Sequence, residues 1–192
     1  CNQSNVSSIP EARNLKQLFC IGSKVEYLPF LENLETLDAS NSLLREVPEN
    51  LAQLVNLNAR DTFLQLVPAS SMKKLQNLDI ANNEVSSIDD CSCLKKLNIS
   101  GSLIKDLPKE LNSLTELDLS RTSMTILPND LEELTILNCS NSSLAFLPPK
   151  MGSLKELDIS YCNINQIPQK LDKLEKLNAT GSNLAEIPSH LV

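Results

Sequence analysis

The chain has 192 residues, 41% of them hydrophobic but only 3% aromatic, and a formal net charge of −7. The acidic balance argues against nucleic-acid binding, which leaves a basic footprint, and no apolar run approaches the roughly 18 residues of a membrane span. A single histidine, His190, and four scattered glycines give no Ser–His or Cys–His pair and no phosphate loop.

Taken in order, the chain repeats itself. An opening partial copy over 1–17 sets Val6, Ile9, Pro10 and Leu15 at the spacing that later copies share. The next copies begin at Leu18, Leu37, Leu57, Leu78, Leu97, Leu117, Leu137, Leu157 and Leu177, in steps of 19, 20, 21 and 19 residues and thereafter 20. The copy over 18–34 is one residue short and has Phe19 and Cys20 in its strand. That over 37–54 is regular. The copy over 57–75 carries an extra residue near 69–71, and that over 78–94 lacks one and has Asp89 where proline is expected. Insertion followed by deletion restores the register and predicts a disturbed outer side there. Regular copies follow from Leu97, and the last is cut off at Val192.

Counting from the first leucine, apolar residues fill positions 1, 3, 8, 11, 15 and 18. Proline holds position 12 in nine copies, Pro10 included. Positions 1 and 3 alternate at strand spacing, so both point to one face. One short strand per copy predicts a parallel ladder. The position 12 proline has no N–H to donate and a fixed φ, so it ends the pairing and turns the chain away. Positions 15 and 18 share one face of a turn. Their contexts, such as PENLAQL and PKELNSL, predict a short helical, 3₁₀ or extended outer side. No copy can bury its leucines alone, and the stack does so collectively.

A self-similar period of 20 residues with these slots resembles the leucine-rich repeat. The resemblance covers the entire chain. It implies an α/β right-handed solenoid over 1–192, one domain of about ten coils with the first and last partial. A parallel sheet lines the concave side, and nine strands at about 4.8 Å span roughly 40 Å. The L-x-φ-S-x-x-x-L-x-x-L-P form is similar to the repeats of bacterial effectors such as the Yersinia outer protein M and the Shigella IpaH type. It departs from them at position 15, where a leucine stands without a second proline. The chain starts and ends inside a repeat, and solenoids need caps; it is therefore expected to be part of a longer protein, with self-association through uncapped ends as one consequence.

The cysteines follow the slots rather than a disulfide pattern. Cys1, Cys20 and Cys139 fall at position 3, Cys91 at position 15 and Cys162 at position 6, all inward; Cys93 falls outward. Burial of reduced thiols is expected. The pair Cys91-x-Cys93 lacks a second half-site for zinc. Position 6 holds an asparagine ladder in the family, but here only Asn83 keeps it; the other copies carry Ser, Thr or Cys, whose local bonds are weaker.

Candidate binding residues come from contrast with the aliphatic slots. Position 2 reads Phe19 and then alternates Asp and Asn from Asp38 to Asn178. An unbroken Asp ladder would set like charges side by side, whereas alternation lets each carboxylate meet an amide. That pattern serves a self-satisfying ladder or a surface for a basic or polar partner. None of the six aromatics occupies a core slot, and Leu43, Leu66, Leu103 and Ile126 share positions 7 and 10 with several of them. Positions 2 and 4 are expected on the concave face, with position 5 at its border. The expected contacts are Phe19, Phe63, Phe146 and Tyr161 as anchors, with Arg60, Asp79, Asp118 and Arg121 around them.

The functional expectation is a non-enzymatic solenoid that binds a protein partner through its concave face and one flank. It needs no cofactor or metal, and its setting is that of a secreted or host-delivered bacterial protein. Two alternatives remain at this level. One is the substrate-recognition region of a ubiquitin-ligase-type effector whose catalytic domain lies elsewhere. The other is a structural or self-associating surface protein.

Overall fold

A computed structural model describes residues 4–49 and 51–188. Nine three-residue strands form one parallel sheet in sequential order. They are β1 (Gln17–Phe19), β2 (Thr36–Asp38), β3 (Asn56–Asn58), β4 (Asn77–Asp79), β5 (Lys96–Asn98), β6 (Glu116–Asp118), β7 (Ile136–Asn138), β8 (Glu156–Asp158) and β9 (Lys176–Asn178). The register aligns each first leucine with the next, Leu117 with Leu137 and Leu137 with Leu157. The insertion and deletion leave that alignment intact: Leu57 pairs with Leu78 and Leu78 with Leu97. Beyond the strands the ladder continues, as Ala39 N–H donates to Asn58 O at 2.8 Å and Asn41 N–H to Arg60 O at 2.9 Å.

The predicted slots are the core. Leu117, Leu119, Leu137, Leu157 and Ile159 are all 2% exposed or less. Positions 3, 8, 15 and 18 close behind them, for example Cys139, Leu144, Met151 and Leu154, each fully buried. Burial of this kind supplies about 1.5–3 kcal/mol per large aliphatic side chain, and the coils share it because each leucine packs between neighbours.

The outer side takes the extended option. Each coil closes with one turn in which the position 18 N–H donates to the position 15 carbonyl, as Leu114 to Leu111 at 3.0 Å and Leu134 to Leu131 at 3.1 Å. The runs between proline and leucine are too short to offset the cost of nucleating a helix. A 3₁₀ turn forms at Ala69–Ser71, where the extra residue lies. There Ser70 Oγ bonds Asp89 Oδ2 at 3.0 Å, so the residue that replaces proline ties the inserted turn to the next coil.

Cys20, Cys91, Cys139 and Cys162 are buried free thiols and Cys93 is exposed. Burial pushes the Cys91 thiol up to about 12, with Asp90 and Asp89 adding to it. Cys162 stands in for asparagine. Its thiol donates to Cys139 O at 2.8 Å and Ser160 O at 3.7 Å, matching the bonds from Asn83 Nδ2 to Ala59 O at 2.7 Å and Ala81 O at 3.2 Å. Cys1 and His190, which the sequence reading used, lie outside the described residues.

Candidate functional site

The sheet face opposite the core forms a groove of about 630 Å³ across β1 to β7. Two columns of side chains line it. The first is position 2, from Phe19 to Asn138. The second is the residue before each first leucine, including Thr36, Asn56, Asn77, Lys96, Glu116 and Ile136. The sequence reading missed this second column, although it alternates with the leucine and therefore shares the face of position 2.

Position 2 is a series of pairs rather than a continuous ladder. Asn58, Asn98, Asn138 and Asn178 each donate Nδ2 to the Asp of the preceding strand, at 3.2, 3.1, 3.0 and 2.8 Å. The other Asp oxygen accepts the N–H two residues on, as Ser120 N to Asp118 Oδ1 at 2.9 Å and Ala81 N to Asp79 Oδ1 at 3.0 Å. Burial pushes the Asp158 carboxyl up, but the Ser160 hydroxyl and N–H, the Asn178 amide and the Lys176 charge leave it below its usual value. In the second column Asn77 bonds Asn56 and Asn56 bonds Thr36. Lys96 pairs with Glu116 at 2.7 Å and Lys176 with Glu156 at 3.2 Å.

Position 4 corrects the expectation of an open concave column. Ser40, Ser100, Ser120 and Ser160 are buried. Small side chains fit there because the chain is about to turn inward. Arg60 cannot fit, so it stands out and pairs with Asp61 at 2.9 Å.

Position 5 forms the rim, and every one of its residues from Gly22 to Gly181 has positive φ. Glycine reaches this region freely, and Asn and Asp tolerate it. Arg121 at +57° and Tyr161 at +56° are the exceptions in residue type. Arg121 Nη2 reaches Asn82 Oδ1 at 3.3 Å, passing over the coil of Gly101. A Cβ on Gly101 would meet that same Asn82 oxygen at 2.5 Å. Asn82 in turn donates to Asp61 at 2.7 Å. That amide, with Arg60, outweighs burial and holds the Asp61 carboxyl below its usual value. Tyr161 lies across Gly181, where a Cβ would come within 2.7 Å of the ring.

The eight expected contacts therefore fall in three places. Phe19, Asp79 and Asp118 line the groove. Arg60, Arg121 and Tyr161 stand on or beside the rim. Phe63 and Phe146 are on the flank, 49% and 73% exposed. Phe63 carries the Arg45 guanidinium 5.5 Å from its ring centre, and Arg45 also bonds Glu26 at 3.3 Å. Arg45 and Asn82 were not foreseen; their signal was adjacency across one period to Phe63 and Asp61.

A family model described as Leucine Rich Repeat matches residues 113–134 and 153–174. Two coils thus match the repeat model, and the solenoid has the leucine-rich repeat fold. The mouse leucine-rich repeat and calponin homology domain-containing protein 1 is 32% identical over 94 residues, 43% of this chain and 13% of that protein. An internalin of Listeria monocytogenes superposes with a TM-score of 0.81 at 20% identity, covering 100% of this chain and 63% of its own. YopM, a leucine-rich effector protein of Yersinia pestis, gives 0.79 at 20% identity, covering 97% and 62%. The chain thus spans under two thirds of these proteins. At such identities the two solved structures show the fold. Leucine-rich repeat folds generally serve as interaction scaffolds. No described helix is long and apolar enough to cross a membrane, and no three metal-ligating side chains cluster among the described residues.

Proposed function

We propose that this leucine-rich repeat protein is a non-enzymatic solenoid that holds a protein partner in its groove, against the rim and along the adjoining flank. The observation that carries the reading is the rim. Arg121 and Tyr161 hold a conformation that glycine adopts at the same position of other coils. Backbone strain of this kind costs about 1–3 kcal/mol and collects at functional sites. Both side chains are large and exposed, next to a floor of half-buried amides and carboxylates. Likeness to an effector and an internalin supports a bacterial, host-directed setting for that partner.

The test separates fold from function. A partner is isolated with the chain as bait and its affinity measured with purified components. Arg121→Gly and Tyr161→Gly should raise thermal stability while each weakens binding by about 2 kcal/mol. Alanine at Arg60, Phe63, Asp79, Asp118, Phe146 and Phe19 completes the map. Loss of binding on Glu132→Ala or Lys173→Ala, with all eight of these positions silent, would put the site on the outer side instead.

A further inference from the structure

The two groove columns differ in how their charges are balanced. Glu116 and Glu156 of one column each have a lysine partner on a neighbouring strand. Asp38, Asp79 and Asp118 of the other make no ion pair among the described residues. Amide and backbone donors hold these carboxylates in place without cancelling their charge. Arg60 acts on Asp79 and Asp118 at a distance, but its guanidinium is bonded to Asp61. Positive groups spaced as these carboxylates are would complement this sheet face.

The period selects the backbone. Successive Asp residues lie two strands apart, about 9.6 Å. Three residues of polyproline II advance about 9.3 Å and return to the same face. An extended strand returns after two residues, about 6.8 Å, and misses the spacing. A helix returns after seven, about 10.5 Å, and drifts by almost 1 Å at each step. The groove also ends on an aromatic. Phe19 takes the position 2 place in β1, pairs in register with Asp38, and is 43% exposed within the groove. Aromatic walls are what proline-rich segments dock against.

We propose that the groove takes a proline-rich peptide segment in the polyproline II conformation, running across the strands, with Lys or Arg at every third residue facing Asp38, Asp79 and Asp118 in turn and a proline against Phe19. The proposal rests on the groove being the protein-binding face. It adds the class of ligand: a stiff cationic segment whose ordering cost is small because its conformation is preformed.

Three synthetic peptides with four arginines each test it by fluorescence anisotropy against the full chain. The first repeats Arg-Pro-Pro, the second Arg-Pro, and the third is a helix with arginine every seven residues. The Arg-Pro-Pro peptide should bind about tenfold more tightly than the others, since two misplaced contacts each forfeit about threefold. Asp79→Asn and Asp118→Asn keep the side-chain shape and should each weaken it about threefold; Phe19→Ala should weaken it as well. Raised salt should weaken binding further. Melting curves report whether each variant is folded. Equal affinity of the three peptides, or an affinity indifferent to folded Asp→Asn variants, would overturn the proposal. If the peptide fails while Arg121→Gly and Tyr161→Gly still weaken the isolated partner, the ligand class is wrong and the binding face stands. If both fail, the face itself is wrong.

Discussion

Residues 57–94 and residues 97–174 build the same core from different joints. The first stretch contains the insertion and the deletion. There Asn83 donates to Ala59 O and Ala81 O and accepts from the Thr62 hydroxyl at 2.8 Å and Leu64 N–H at 3.2 Å. One buried amide thus ties two coils. In the regular stretch Thr122 bonds within its own coil, Oγ1 to Leu119 O at 2.7 Å, while Cys162 bridges to Cys139 O of the coil before it at 2.8 Å with a single thiol. Where coils are identical in length, the strand ladder and leucine stack keep the register. Where they are not, the ladder persists and a buried amide adds bonds between the coils. The irregular stretch also carries the rim chain from Arg60 through Asp61 to Asn82.

Four measurements test this contrast. The core should not distinguish the stretches: Leu78→Ala and Leu137→Ala should each cost about 2–5 kcal/mol in denaturant unfolding. A marked inequality would show that packing, not the joint, differs. Next, Asn83→Ala should cost about 3 kcal/mol, because it orphans several buried groups, against about 1 kcal/mol for Ser142→Ala. Equal costs would erase the contrast. Third, Gly101→Ala meets both a φ of +68° and the Asn82 oxygen, and should lower stability by about 1–3 kcal/mol. Gly152→Ala has open space around it and should gain about 0.4–1 kcal/mol by restricting the unfolded chain.

The smallest effect is in acid. Asp61 is held below its usual value by Asn82 and Arg60. Its contribution is therefore complete above the unfolded pKa of about 4 and is lost as pH falls through the lower folded value. Asp61→Asn should flatten that part of the stability-versus-pH curve. An unchanged slope would mean that the rim chain does not hold the irregular stretch.

The core was legible because a repeat of 20 residues fixes which side chains share a face, and the leucine register survived both length changes. The outer side was less so. Runs such as PENLAQL favour a helix by composition, yet two residues between the proline and the next apolar slot, three after Pro68, leave room for a single turn. The floor of the groove was half legible. Position 2 was read, but the residue before each leucine was not, because Thr36, Lys96, Glu116 and Ile136 share no chemistry that would mark them as a column. Position 4 was placed on the open face by strand alternation, but its serines are buried, with Ser40 and Ser160 bonded to Asp38 and Asp158 of their own coils. The rim conformation could be read from Gly22, Gly101 and Gly181; Arg121 and Tyr161 conceal it. Cys162 doing the work of asparagine was legible from its slot, since position 6 of this repeat takes Asn or Cys.

The sequential order of the sheet has a mechanical consequence. Each strand pairs with the strand of the coil before it and the coil after it, so tension applied along the stack is borne by every ladder in series and coils can leave one at a time. Under tension the molecule should yield like a zip fastener, releasing about 70 Å of chain for each coil of 20 residues in exchange for about 4.8 Å of stack. The Arg121–Asn82 bond, which spans the coil of Gly101, is a strut across that fastener, and the pull should hesitate there before the irregular coils give way.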